Sequence, residues 1–193
     1  MRLLSGFLLA LTLSLSPLGA TLPTAAAAPA VEDYPGYQPA SHCSPRPRVG
    51  TTLLSTFIVR RYGGAFGGIS RRCGGSTSEH TEGRAFDWTV SARTAAGRAT
   101  ARALLDDLFA TDRFGNDDAL ARRMGVMYVI WNDRIYSAGR GYAPEPYLNS
   151  ACRSRKRCSQ TLRHRDHVHI SLTRRAARGE TSWFVRRLLG VAR

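Results

Sequence analysis

The chain has 193 residues, 43% of them hydrophobic, and a formal net charge of +14. That length suits one domain with a real core, and after residues 1–30 no stretch is apolar enough to span a bilayer. The charge is almost all arginine, with Lys156 the only lysine; it favours polyanions but does not choose among nucleic acid, anionic lipid and phosphate-bearing wall polymers.

Residues 1–30 read as an export signal. Arg2 starts it, an apolar run from about Leu3 to Leu15 follows, Pro17 and Gly19 break the run, and Ala28-Pro29-Ala30 fits a small-x-small cleavage site. A retained membrane anchor is the alternative. Residues 31–48 have no periodicity and read as an extended, loosely ordered lead-in to a domain over 49–193. Cys43, Cys73, Cys152 and Cys158 make an even set, which in an exported chain suggests two disulfides. Three pairings are possible. Cys152–Cys158 is favoured because the two bracket a short basic loop, which leaves Cys43–Cys73. No C-x-x-C pair supports a cysteine zinc site.

From Thr51, Leu53, Leu54, Phe57 and Ile58 mark a helical face that Gly63-Gly64 ends. Phe66–Ser70 and Arg84–Val90 read as strands, and Thr94–Thr111 as a helix with Ala101, Leu104, Leu105 and Leu108 on one stripe. A helical turn follows over Asp117–Arg123. Met124–Trp131 has the apolar character of a central strand, and Asn132-Asp133 turns it into a partner strand, Arg134–Ala138. Gly139–Leu162 reads as one long loop, Val168–Leu172 as the last strand, and the chain from about Thr173 as a C-terminal helix. This order predicts an α+β domain: an antiparallel sheet with flanking helices.

Two segments carry the candidate chemistry. In the later one, His167 and His169 stand two apart in a strand and share a face, with Val168 and Ile170 packing behind. Neighbouring imidazoles repel when charged and need partners when neutral, and a divalent metal answers both. Ordinary core or surface histidines are the competing reading. In the earlier segment, His80 lies in a polar loop before Gly83, and Asp87 sits between Phe86 and Trp88. A carboxylate in an aromatic strand needs a cation. That cation is either an arginine or a metal. His80, Asp87 and His169 together would make three ligands and leave a fourth place for water.

Ser78-Glu79-His80, Gly83, Ala85 and Asp87 resemble the S-x-H-x-x-G-x-A-x-D signature of D-alanyl-D-alanine carboxypeptidases and VanY/VanX-like zinc peptidases, which share a fold with the Hedgehog signalling domain. Asp166-His167-Val168-His169 resembles that group's second signature, a late His-x-His or Glu-x-x-His. Gly125–Trp131 with Arg134-Ile135-Tyr136 is similar to a segment of its exported actinobacterial members. The resemblance implies a Hedgehog/DD-peptidase-like fold, Zn2+ held by His80, Asp87 and His169, and Asp166 as general base where relatives carry glutamate. It also implies Arg71 or Arg72 as the substrate arginine, His167 lining the site, and His164 as a supporting residue or rival base. Asp166 is one methylene shorter than glutamate, and misplacement by about 1 Å costs on the order of a hundredfold in rate.

The expected function is therefore an exported, monomeric zinc peptidase acting on peptidoglycan stem peptides, with anionic wall polymers as further partners and neither specific nucleic-acid binding nor membrane insertion. A non-catalytic wall-binding protein of the same fold is the alternative. A secreted nucleic-acid protein would need a basic face with interleaved aromatics, whereas the arginines look scattered along the chain. A phosphoesterase would need a second copy of His169-Ile170-Ser171, and a serine or cysteine hydrolase lacks a nucleophile elbow.

Overall fold

The computed structural model describes residues 31–75 and 78–191, so the proposed export signal lies outside the described residues. Helix α1 (Val49–Tyr62) leads into strand β1 (Ala65–Gly68), and a 3-10 turn (Glu79–Glu82) leads into β2 (Ala85–Thr89). Helices α2 (Ala95–Leu108) and α3 (Ala119–Arg123) precede β3 (Val126–Trp131) and β4 (Arg134–Ser137). Strand β5 (Pro144–Pro146), β6 (His167–Leu172) and helices α4 (Arg174–Ala177) and α5 (Ser182–Leu188) complete the domain. The strands form one six-stranded sheet in the order β1-β2-β6-β3-β4-β5. Every neighbouring pair is antiparallel, so this is an α+β fold with flanking helices.

Alternation assigns the two faces of the sheet. Phe86, Trp88, Val129, Val168, Ile170 and Leu172 point to the helical side and join Leu54, Ile58, Leu104, Leu108 and Phe184 in the core. Asp87, His167, His169 and Ser171 occupy the other side. Thr94 caps α2 by accepting from the Gly97 N–H. Asn132 and Asp133 both take positive φ, 47° and 62°, as the tight turn of a two-residue hairpin requires.

Three segments differ from the sequence reading. The loop after β4 contains β5, which pairs Pro146 with Arg134 and Pro144 with Tyr136. Two prolines in three residues hide a strand from sequence analysis, but the edge of a sheet tolerates them. The C-terminal helix is two short helices, because Gly179 turns with φ of 83° and Thr181 begins α5 anew. The lead-in 31–48 has no regular element before the first turn of α1, yet it is strapped down along its length. Glu32 accepts from the Ser182 hydroxyl, Tyr34 donates to Asp118, and Gln38 accepts from the Arg174 N–H. Cys43–Cys73 ties the lead-in to the segment after β1, and Cys152–Cys158 closes the basic loop. Among the described residues, no helix is long and apolar enough to cross a membrane.

A buried ion pair sits where the lead-in meets the 3-10 turn. Arg84 is 1% exposed, bonds Glu82 through Nε, and donates to the carbonyls of Leu172 and Gln38. Burial alone would raise the Glu82 carboxyl, but the Ser41 N–H and the guanidiniums of Arg84 and Arg174 outweigh it and hold its pKa down at about 2. Because the folded value is depressed, the stabilisation is complete above the ordinary carboxyl pKa and is lost as pH falls towards about 2. Replacing Glu82 by Gln removes the nearer carboxylate and leaves the buried guanidinium only Glu79, 3.8 Å away. The expected cost is about 3–5 kcal/mol in urea denaturation at pH 7, shrinking as the pH is lowered.

Candidate metal centre

The register of β2 on β6 places Asp87 directly opposite His169, and the capped 3-10 turn brings His80 to the same point. Gly83 ends that turn with φ of 66°, where a Cβ would stand 1.9 Å from the Arg46 carbonyl oxygen, so only glycine lets the chain pass into β2. His80 Nε2 lies 3.1 Å from Asp87 Oδ1 and 3.2 Å from His169 Nδ1, and the third edge, His169 Nδ1 to Asp87 Oδ1, is 3.0 Å. Tetrahedral ligands at about 2.05 Å from a metal would be about 3.3 Å apart. The triangle is therefore slightly tighter than a tetrahedral face and of the right size to hold an ion.

Each ligand is oriented from behind. His80 Nδ1–H donates to the Ile69 carbonyl at 2.8 Å, which leaves Nε2 as the lone-pair nitrogen. His169 Nε2 meets Ser171 Oγ at 2.9 Å, which turns Nδ1 inward. Arg71 Nη2 reaches the outer oxygen of Asp87, Oδ2, at 3.2 Å. Such outer partners fix tautomer and direction in metal sites. Burial would push the Asp87 carboxyl up, but its close contacts with His169 and His80 outweigh it and hold it well below the usual carboxylate range. Burial also lowers the His169 pKa, against the pull of Asp87. A carboxylate and a neutral imidazole are the forms that bind a cation, and a single shared proton would satisfy only one edge of the triangle.

The other sequence-predicted residues fall at different distances from the triangle. His167 has its side chain 12% exposed, with Nε2 3.6 Å from Asp87 Oδ1 and Nδ1 2.7 Å from Asp166 Oδ1. Asp166 is about half exposed and also accepts from the Thr161 hydroxyl, so it reaches the triangle through His167. His164 is buried with its ring centroid 4.8 Å from that of His167 and 5.7 Å from that of His169. Burial lowers its pKa to about 3, and its Nδ1 has no hydrogen-bond partner. Arg72 is exposed and makes no hydrogen bond or ion pair among the described residues.

Sequence reasoning missed four supports. Tyr128 stacks on His169 with ring centroids 5.6 Å apart and donates to Glu79 at 2.9 Å. Tyr147 packs edge-on against His164. Ser171 backs His169, and its position two residues along the same strand was the available signal. The Ile69 carbonyl left none. Beside the triangle, Tyr37, Tyr128, Ile130, Ile135 and Tyr147 line a cleft of about 470 Å³.

Two histidines and one carboxylate suit Zn2+ and its neighbours in the transition series. After chelation and dialysis, the wild-type chain is expected to take up one equivalent of Zn2+, and His80→Ala none. At free Zn2+ near a thousand times the dissociation constant, the wild type should gain about 4 kcal/mol of stability and the variant should not respond. Equal zinc content and equal melting shifts in both proteins would remove the site.

A family model described as VldE, C-terminal domain, matches residues 43–153, which include His80 and Asp87 and stop short of His164, His167 and His169. No curated protein and no solved structure matches the chain. The match covers more than half of the residues, and the chain belongs to the VldE C-terminal domain family.

Proposed function

We propose that the chain is a Zn2+-dependent hydrolase of peptidoglycan stem-peptide amides, built on a Hedgehog/DD-peptidase-like fold and working outside the cell membrane. The observation that carries this reading is the closed triangle of His80, Asp87 and His169, with edges of 3.0–3.2 Å and an outer partner on every ligand. The two disulfides fit an oxidising compartment, where such an enzyme would meet cell-wall peptides.

Bound at the triangle, Zn2+ would supply Lewis acidity and lower the pKa of a coordinated water. The residues of the chain supply the rest. Asp166 accepts from His167 Nδ1–H and leaves Nε2 as the basic nitrogen on the side of Asp87. His167 Nε2 takes a proton from the attacking water and returns it to the leaving amine. Arg71, 59% exposed at its side chain, keeps further donors free for the developing oxyanion or a substrate carboxylate. The tyrosine-lined cleft seats the peptide beside the reacting bond. Buried His164 stays neutral and packs behind His167 and His169.

A non-catalytic wall-binding protein of the same fold is the second reading. The half-exposed Asp166, which does not itself touch the triangle, favours it.

On soluble stem peptides, His167→Gln should lower kcat by about 10²–10⁴-fold and Asp166→Asn by about 10–100-fold, both at unchanged zinc content. A wild type that holds zinc but releases no amine from D,D- or L,D-linked peptides selects the binding protein instead.

A further inference from the structure

We propose that the groove between α2 and the β3–β4 hairpin binds a non-aromatic phosphodiester polymer of the polyol phosphate kind. The groove holds about 530 Å³ and is lined by Arg98, Arg102 and Asp106 from α2 and by Trp131, Arg134 and Tyr136 from the hairpin. It lies on the reverse of the sheet from the metal centre. Ile130 pairs with His169, whereas Trp131 and Arg134, which pair with each other, point to the opposite face.

Charge complementarity names the occupant. Arg98 and Arg102 are four residues apart on one helix, a spacing at which like charges repel. Arg134 faces them from the hairpin. Some arginines elsewhere are neutralised by acids, as Arg61 is by Asp107, Arg163 by Asp133 and Arg178 by Glu180, while others, such as Arg72, stand alone on the surface among the described residues; what marks the groove is that three converge there. Among the described residues, none of the three groove arginines has a carboxylate within salt-bridge distance. Arg98 uses one side-chain nitrogen on the Ala92 carbonyl, and the side chains of Arg102 and Arg134 make no hydrogen bond among the described residues. The only acid lining the groove is Asp106, so the net charge there is positive. An anion threaded between helix and hairpin would contact all three guanidiniums and relieve their repulsion.

The aromatic residues disfavour a base-stacking ligand. Trp131 is 5% exposed. Phe109 stacks on Tyr136 at 5.5 Å and on Tyr142 at 4.8 Å between ring centroids, so one face of Tyr136 is already covered. Single-stranded nucleic acid gains much of its affinity from open aromatic faces, and this groove offers only what Phe109 leaves of the half-buried Tyr136. A phosphodiester chain without bases needs only the charges and the channel.

The experiment measures binding of a glycerol phosphate polymer to the full chain by calorimetry across a salt series. The comparison is with a triple variant, Arg98→Gln, Arg102→Gln and Arg134→Gln, and with a charge-matched control, Arg153→Gln, Arg155→Gln and Arg157→Gln. Melting curves check that each variant folds, and a triple lysine variant at the groove positions keeps the charge. The groove glutamine variant should bind at least tenfold more weakly, with the slope of log affinity against log salt reduced by about 2. The control and lysine variants should stay within about threefold of the wild type, on the same phosphate-neutralisation argument. Equal losses in the groove variant and the control would mean that overall charge, not this groove, binds the polymer, and would overturn the proposal. So would single-stranded DNA binding more tightly than the polyol phosphate with the same dependence on the groove arginines. Neither outcome depends on the peptidase reading, because the binding assay needs neither zinc nor turnover.

Discussion

The site depends on one register. Strand β2 pairs with β6 so that Asp87 faces His169 and Thr89 faces His167, with Phe86, Trp88, Val168 and Ile170 locked into the core on the other side. A slip of one residue would turn both histidines into the helices and two large apolar side chains into solvent. The core therefore sets the geometry of the candidate metal site. Apolar burial at about 25 cal/mol per Å² on one face fixes the strands, and the short approach between carboxylate and imidazole on the other face follows from it.

Register alone supplies two corners of the triangle. The third, His80, belongs to a four-residue 3-10 turn whose residues are all buried. That turn is held by the buried ion pair beneath it. Glu82 gathers the Ser41 N–H, Arg84 and Arg174, while Arg84 reaches across to the end of β6 and back to the lead-in. The Cys43–Cys73 bridge fastens the same lead-in to the chain just before the turn. A charge pair this deep is costly to desolvate and contributes little net stability over an apolar substitute. Its effect here is positional, because it joins the arm, the turn and the last strand at one point.

Much of this was legible in the sequence because it rests on short-range rules. Strand alternation put His167 and His169 on one face, the aromatic neighbours of Asp87 marked a carboxylate in need of a cation, and Gly83 marked the turn. The disulfides followed from loop length and elimination. What stayed hidden is set by tertiary contact. Prolines masked β5, whose place at the sheet edge makes them acceptable. Nothing local shows that the Ile69 carbonyl would orient His80, or that Tyr128 would lie flat on His169. The irregular lead-in read as loose because its order comes from partners distant in sequence, such as Asp118 and Ser182. The basic groove was invisible for the same reason: Arg98, Arg102 and Arg134 meet only once α2 lies across the hairpin.

Within the proposed chemistry, the Asp166 position bears on how a shorter acid is accommodated. A glutamate three residues before the last ligand reaches the reacting water by its own length. An aspartate there falls short, and in this fold its carboxylate turns to the Thr161 hydroxyl and His167 Nδ1 instead. His167 is two residues from His169 on the same strand face, so alternation delivers its Nε2 to the triangle without any long side chain. Splitting the task, with a carboxylate to fix the tautomer and an imidazole to carry the proton, also moves the working group from a carboxyl to an imidazole. On that argument the lost methylene redistributes the base over two residues and leaves the strand geometry that placed it unchanged.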